Sequence, residues 1–161
     1  LLHDRGIKCL IHQPSYSMIN RWIEQDLLKT LTKLNMGCIV FSPLAQGMLS
    51  EKYLNKIPIN SRAKENSSLN PKMITKTYID KIINLKKIAQ KRNQTISQMA
   101  LAWVLRHKQV TSALIGARTL KQLDECLDSL KNLEFSKNEL SLIDKYAIEE
   151  NINLWAASSK N

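Results

Sequence analysis

Short apolar runs alternate along this chain with stretches in which apolar residues return every three or four positions. The runs IKCLIHQ (7–13), CIVF (38–41) and VTSALI (110–115) lie between Gly6 and Pro14, after Gly37 and before Gly116, and read as strands. The last, partly β-branched, has the character of a buried parallel strand. Helical spacing appears in Trp22, Ile23, Leu27, Leu28, Leu31 and Leu34, closed by residues 35–37, and again in Tyr78, Ile82, Leu85 and Ala89, ending near Arg92. Further helix starts carry capping boxes: Thr95 with Gln98, Thr119 with Gln122, and Ser136 with Glu139. They open the faces Met99, Ala100, Ala102, Trp103, Leu105; then Leu120, Leu123, Leu127, Leu130; then Leu140, Ile143, Ala147. In the tail, Leu154 with Trp155 would anchor residues 151–161 on the domain.

The order is strand, helix, strand, long loop, two helices, strand, helix, helix, with no internal repeats. Strand, helix, strand with short connections implies parallel pairing through a right-handed crossover. The expected class is α/β with about three parallel strands and a C-terminal helix. Ligands bind parallel α/β folds at the C-terminal strand edge. Here that edge would carry Gln13 and Tyr16, residues 42–46, and residues 116–118. At the last of these, a strand turns directly into a helix N-terminus beside Arg118, a place suited to phosphate through free backbone N–H groups and the helix dipole. Residues 42–75, with Pro43, Gly47, Pro58 and Pro71, show little periodicity, and a loop so long is usually functional.

Composition narrows the alternatives. A chain of 161 residues, 43% hydrophobic and 24% charged, is an ordinary globular domain, and no apolar run approaches the ~20 residues that span a bilayer. A soluble cytoplasmic protein is expected. The net charge of +10, from 24 basic and 14 acidic residues, is spread along every predicted helix without interleaved aromatics, which argues against a nucleic-acid surface. Cys9, Cys38 and Cys126 are too far apart for a zinc site or a disulfide framework and read as reduced core or near-core thiols. His12 has no second ligand-type residue at suitable spacing and reads as structural. The chain begins at Leu1, and LLHDRG reads as the end of a helix capped by Gly6, so the expectation is a piece of a larger fold.

On the motifs HQPSYSMINR (12–21), GCIVFSPLAQGMLSEKY (37–53), IPINSR (57–62), QMALAWVLRH (98–107) and LIGARTLKQLDE (114–125), the chain resembles the aldo-keto reductase family. The nearest branch holds bacterial L-glyceraldehyde 3-phosphate and methylglyoxal reductases and potassium-channel beta subunits, and NLWAASS (153–159) is most similar to the glyceraldehyde-phosphate group. The resemblance implies the C-terminal half of a (β/α)8 TIM barrel, with strands six, seven and eight, and NADPH as cofactor. Under it Gln13 would hydrogen-bond the nicotinamide carboxamide and Phe41 would stack on the ring. Ser42, Pro43, Leu44 and Gln46 would line the pyrophosphate, with Lys52 and Arg62 closing over it. Gly116 would admit the backbone, Arg118 and Gln122 would hold the adenosine 2′-phosphate, and Glu125 would face the adenine.

Two departures from the family pattern stand out. Cys126 occupies the position where the family commonly has an asparagine to read adenine. The catalytic Asp, Tyr, Lys and His belong to the first barrel strands, and nothing in this chain corresponds to them. Carbonyl reduction of a small aldehyde would be the parent reaction, and this chain alone should not perform it. The rival reading is a non-catalytic NADPH-binding or regulatory module, or a gene remnant. Cut barrel edges would call for a complementary N-terminal half or a homo-oligomer.

Overall fold

Among the described residues (3–59, 61–63 and 69–147 of a computed structural model), β1 (Ile11–His12), β2 (Gly37–Val40) and β3 (Val110–Ala113) form one parallel sheet in the order β1-β2-β3. The β1–β2 crossover carries a 3-10 turn, Trp22–Glu24, and α1 (Leu27–Lys33). The β2–β3 crossover carries residues 41–75, α2 (Lys76–Lys91) and α3 (Ile96–Leu105). Helices α4 (Leu120–Asp128) and α5 (Lys137–Tyr146) follow β3. The architecture is the expected α/β one.

The core forms where α3 lies on the sheet. Its residues are apolar all round, so it is buried on nearly every side, with Trp103 fully enclosed. Helix α2 presents the predicted stripe, Tyr78, Ile82, Leu85 and Ala89, and buries it. The Thr95 and Ser136 capping boxes close in both directions, satisfying N–H groups that a helix start otherwise leaves unpaired. The described residues of the 42–75 segment carry more regular structure than their composition suggests. Short 3-10 turns at Ala45–Gly47, Glu51–Tyr53 and Pro71–Met73 fold them inward, Met48, Leu49, Tyr53, Ala63 and Leu69 join the core, and the Tyr78 hydroxyl donates to the Met48 carbonyl.

Several expectations need correction. The strand read over 7–13 is only Ile11–His12, with Ile7, Leu10 and Ile11 exposed, because no strand pairs with its outer edge among the described residues. The helix read over 22–34 is broken at Gln25 and Asp26, and Glu24 is drawn away to Arg106. β3 is not buried on both faces: Thr111 and Ser112 are exposed. The α4 leucines face outward, Leu120 being 79% exposed and Leu127 52%. Cys9 is exposed, whereas Cys38 is buried and its thiol is pushed up to about 11 by burial. The anchor at Leu154 and Trp155 and the motif at 153–159 lie outside the described residues, as does Asn60 of 57–62.

One arginine ties the end of α2 to the start of α5 and to the segment before it. Arg92 is buried, donates to Glu139 at 2.7 Å, to Gln94 at 2.9 Å and to the Asn132 carbonyl at 3.1 Å, and lies 3.7 Å above the Phe135 ring. Removing one partner of such a pair leaves the others buried and unpaired. Arg92→Met should therefore lower unfolding free energy by about 2–4 kcal/mol, read as a shifted urea midpoint at unchanged slope.

Candidate functional site

Parallel pairing puts the C-terminal ends of the three strands at one edge of the sheet. Phe41 is locked to the segment after β1: its N–H donates to the Pro14 carbonyl at 3.0 Å and its carbonyl accepts from Tyr16 at 3.1 Å. On the other side the Val40 carbonyl accepts from Leu114 at 2.8 Å. Gln13, Phe41 and the 114–116 turn are thus neighbouring strand ends, with Gln13 exposed and Phe41 half-buried.

Beyond Phe41 the backbone is strained. Ser42, Ala45 and Gln46 take φ of +54°, +46° and +59°, and Gly47 follows at +94°. Left-handed backbone at non-glycine residues costs energy and collects at binding loops, where successive N–H groups turned to one side make an anion nest. Pro43 is buried, Leu44 half-buried and packed on the core, and Gln46 keeps a buried Oε1 with no partner among the described residues. Tyr53 Oη, which stands beside Gly47, is likewise buried and unpartnered. The sequence reading names Gln46 for the pyrophosphate but not Tyr53, whose only signal is its place at the end of the 37–53 motif.

Lys52 is brought under the influence of two arginines. Its ammonium is pushed below the usual lysine range by partial burial, by the charge of Arg118 and by that of Arg62. These residues are distant in sequence, and all are exposed at the surface. At the 116–119 turn Gly116 has open space above it: a Cβ there would meet nothing within 4 Å. Thr119 caps α4 as expected, but Gln122 returns its Oε1 to the Arg118 N–H at 2.9 Å and not to Thr119, so only half of the predicted box forms. That bond braces the Arg118 backbone at the helix start. Glu125 is half-buried beside Cys126. Thus Lys52, Arg62 and Arg118 converge, and Gln13 and Phe41 adjoin, while Gln122 is engaged with its own turn.

Behind the strand ends lies a charged network absent from the candidate set. The fully buried Tyr16 donates its hydroxyl to Glu24 Oε1 at 2.5 Å, and Arg106 donates to both at 2.8 Å. Arg106 also covers Trp103 at 3.4 Å, with Arg21 on the same ring at 4.5 Å. Burial opposes ionisation of Glu24, but the Tyr16 and Arg106 donors, the Arg106 charge and the nearby His107 Nε2 at 3.7 Å outweigh it and hold the carboxyl at about 2.

With this geometry in hand, the comparisons are decisive on family. The aldo/keto reductase family model matches residues 1–148. The chain belongs to the aldo/keto reductase family. It is 46% identical over 164 aligned positions to the L-glyceraldehyde 3-phosphate reductase of Escherichia coli O157:H7, which covers 99% of this chain and 47% of that protein. A putative voltage-gated potassium channel subunit beta of Schizosaccharomyces pombe is 35% identical over 128 positions, 76% of this chain and 36% of its own length. The glycerol dehydrogenase structure from Gluconobacter oxydans superposes with a TM-score of 0.71 at 25% identity, over 88% of this chain and 43% of that one. The chain spans about half the length of the curated relatives it matches first. The fold is accordingly that of part of a (β/α)8 barrel. Among the described residues no helix is long and apolar enough to cross a membrane, and no cluster of His, Cys, Asp and Glu could hold a metal ion.

The Glu24 ion pair carries a pH signature. Its folded-state value lies below the ordinary 4.5, so the stabilisation is complete above that value and is lost as pH falls toward about 2. Glu24→Gln lacks this dependence, and the stability gap between wild type and variant should narrow between about pH 5 and about pH 2 in urea titrations. A gap of constant size across that range would assign the pair no such role.

Proposed function

We propose that this chain is the dinucleotide-binding part of an NADPH-dependent carbonyl reductase acting on small aldehydes of the L-glyceraldehyde 3-phosphate or methylglyoxal type. The observation that carries this reading is the convergence of Lys52, Arg62 and Arg118 at the edge where the parallel strands end. Like charges held together at some cost to a lysine's protonation are relieved by an anion. The N-terminus of α4 adds backbone donors for phosphate oxygens. NADPH carries a 2′-phosphate that NADH lacks, so a cationic pocket of this kind discriminates in its favour.

In this reading Gln13 holds the carboxamide and Phe41 the face of the nicotinamide. Ser42, Pro43, Leu44 and Gln46 follow the pyrophosphate, Lys52 and Arg62 neutralise it, and Arg118 and Gln122 take the 2′-phosphate. Glu125 lies toward the adenine, and Cys126 offers it only a weak hydrogen-bond partner. When bound, the cofactor supplies a hydride. This chain's contribution is to orient it, since a carbonyl oxygen that gains charge also needs an acid, and no residue here is assigned that task. The potassium-channel relative supports a second reading, a binding module without turnover.

The test begins with fluorescence titration of NADPH and NADH. Binding of NADPH should be at least about tenfold tighter, and Arg118→Ala should abolish most of that preference, as expected for loss of a charge-assisted contact worth about 1.5–3 kcal/mol. Gly116→Ala should weaken NADPH binding with unchanged thermal stability, because the space above it is empty of protein. Equal affinity for both dinucleotides would overturn the assignment.

The catalytic part of the proposal needs a partner. Mixed with a polypeptide containing the N-terminal half of the E. coli relative, the chain should gain aldehyde-dependent NADPH oxidation, while each half alone stays silent. Turnover by this chain by itself would contradict the division of labour, and a tight, inactive complex would favour the module.

A further inference from the structure

The Tyr16, Glu24 and Arg106 network is chemically more elaborate than packing requires. Phenylalanine would fill the Tyr16 site, and an ion pair set against an aromatic core carries a desolvation cost that apolar residues avoid. Its placement suggests what it does. The Tyr16 N–H donates to the Phe41 carbonyl while the Phe41 N–H donates to Pro14, so the Phe41 peptide is gripped from both sides by the residues directly after Gln13. The Tyr16 ring lies 5.3 Å from Trp103, and its hydroxyl is held by Arg106 at the end of α3 and by Glu24 in the 3-10 turn of the β1–β2 crossover. Trp22 Nε1 donates to the Ser15 carbonyl at 2.9 Å, fastening the intervening peptide. The network therefore ties the ends of β1 and β2 to the rigid helix α3, and makes no link to the 116–122 turn.

We infer that Tyr16, Glu24 and Arg106 are positioning residues for the nicotinamide end of the dinucleotide, setting Gln13 against Phe41 and leaving the adenine end alone. This rests on the NADPH reading above. The two ends are separable with one probe: 2′,5′-ADP has the adenine, ribose and 2′-phosphate of NADPH and no nicotinamide. In the full chain, Tyr16→Phe should weaken NADPH binding at least about threefold, reduce the change in nicotinamide emission at saturation, and leave 2′,5′-ADP affinity unchanged. Glu24→Gln, which keeps an acceptor for the tyrosine, should act in the same direction more weakly and serves as the second variant where Tyr16→Phe unfolds. Parallel losses for both ligands, or no loss for either, would overturn the inference and leave the cofactor assignment standing. A wild-type chain that binds neither ligand would sink both.

Discussion

Parallel pairing of β1, β2 and β3 is the constraint from which the rest follows. Parallel strands all point one way, so every loop that leaves a strand leaves it at the same edge. Gln13, Phe41 and Gly116 are far apart in sequence and stand at adjacent strand ends for that reason alone. A neighbouring constraint sharpens the pairing. A Cβ at Gly37 would fall 2.8 Å from Thr111 Oγ1, and that hydroxyl accepts from the Cys38 N–H where the register shifts between Cys38 and Ile39. The absence of a side chain at one position thus lets β2 and β3 come close enough for the Val40 carbonyl to reach Leu114.

Once the strand ends are gathered, the loops add charge and strain to the same edge. The left-handed residues at 42, 45 and 46 would be unfavourable in a loop with nothing to bind, and the core contacts of Met48, Leu49 and Tyr53 hold them in that shape. The same inward packing carries Lys52 within reach of Arg118's field. Helix α3 acts as the foundation, since its enclosed apolar surface carries both the sheet and, through Arg106, the turn after β1.

Much of this was legible in the sequence, for physical reasons that differ by element. Helices α2 and α3 were readable because both their periodicity and their caps lie within the local chain. The Thr119 box was half right, because spacing identifies a Gln three residues on but does not say which of two adjacent N–H groups its amide will reach. Arg118 was readable from the strand-to-helix junction, whereas Lys52 and Arg62 were named only through family motifs; that both arginines bear on Lys52 is a tertiary fact that no spacing encodes. The Tyr16 network was invisible for the same reason, since Arg106 and Glu24 are 82 positions apart. The overextended strand at 7–13 and the buried reading of 110–115 share a single cause. Apolarity in a sequence reports what a residue is suited to touch, and Ile7, Leu10, Ile11 and Leu114 stay more than half exposed among the described residues.

That surplus of exposed apolar surface bears on function. Leu114 is 54% exposed beside β3, Leu10 71% beside β1, and Leu120, Leu123 and Leu127 of α4 and Leu130 of the 3-10 turn after it face outward. The apolar positions lie at both outer edges of the sheet and on the helix after the last strand, where a closed barrel would have neighbours. Covering one such leucine is worth roughly 1.5–3 kcal/mol, so together they form more exposed apolar surface than a solvated face usually carries. The edge where the strands end and these exposed apolar positions border each other at β1 and β3. A polypeptide that paired with either strand would bring its own strand ends to the place where Gln13 and Gly116 stand. Under the proposed reading, a strand added in parallel at either edge would place its C-terminal end, and any proton donor it carried, beside Gln13 or Gly116.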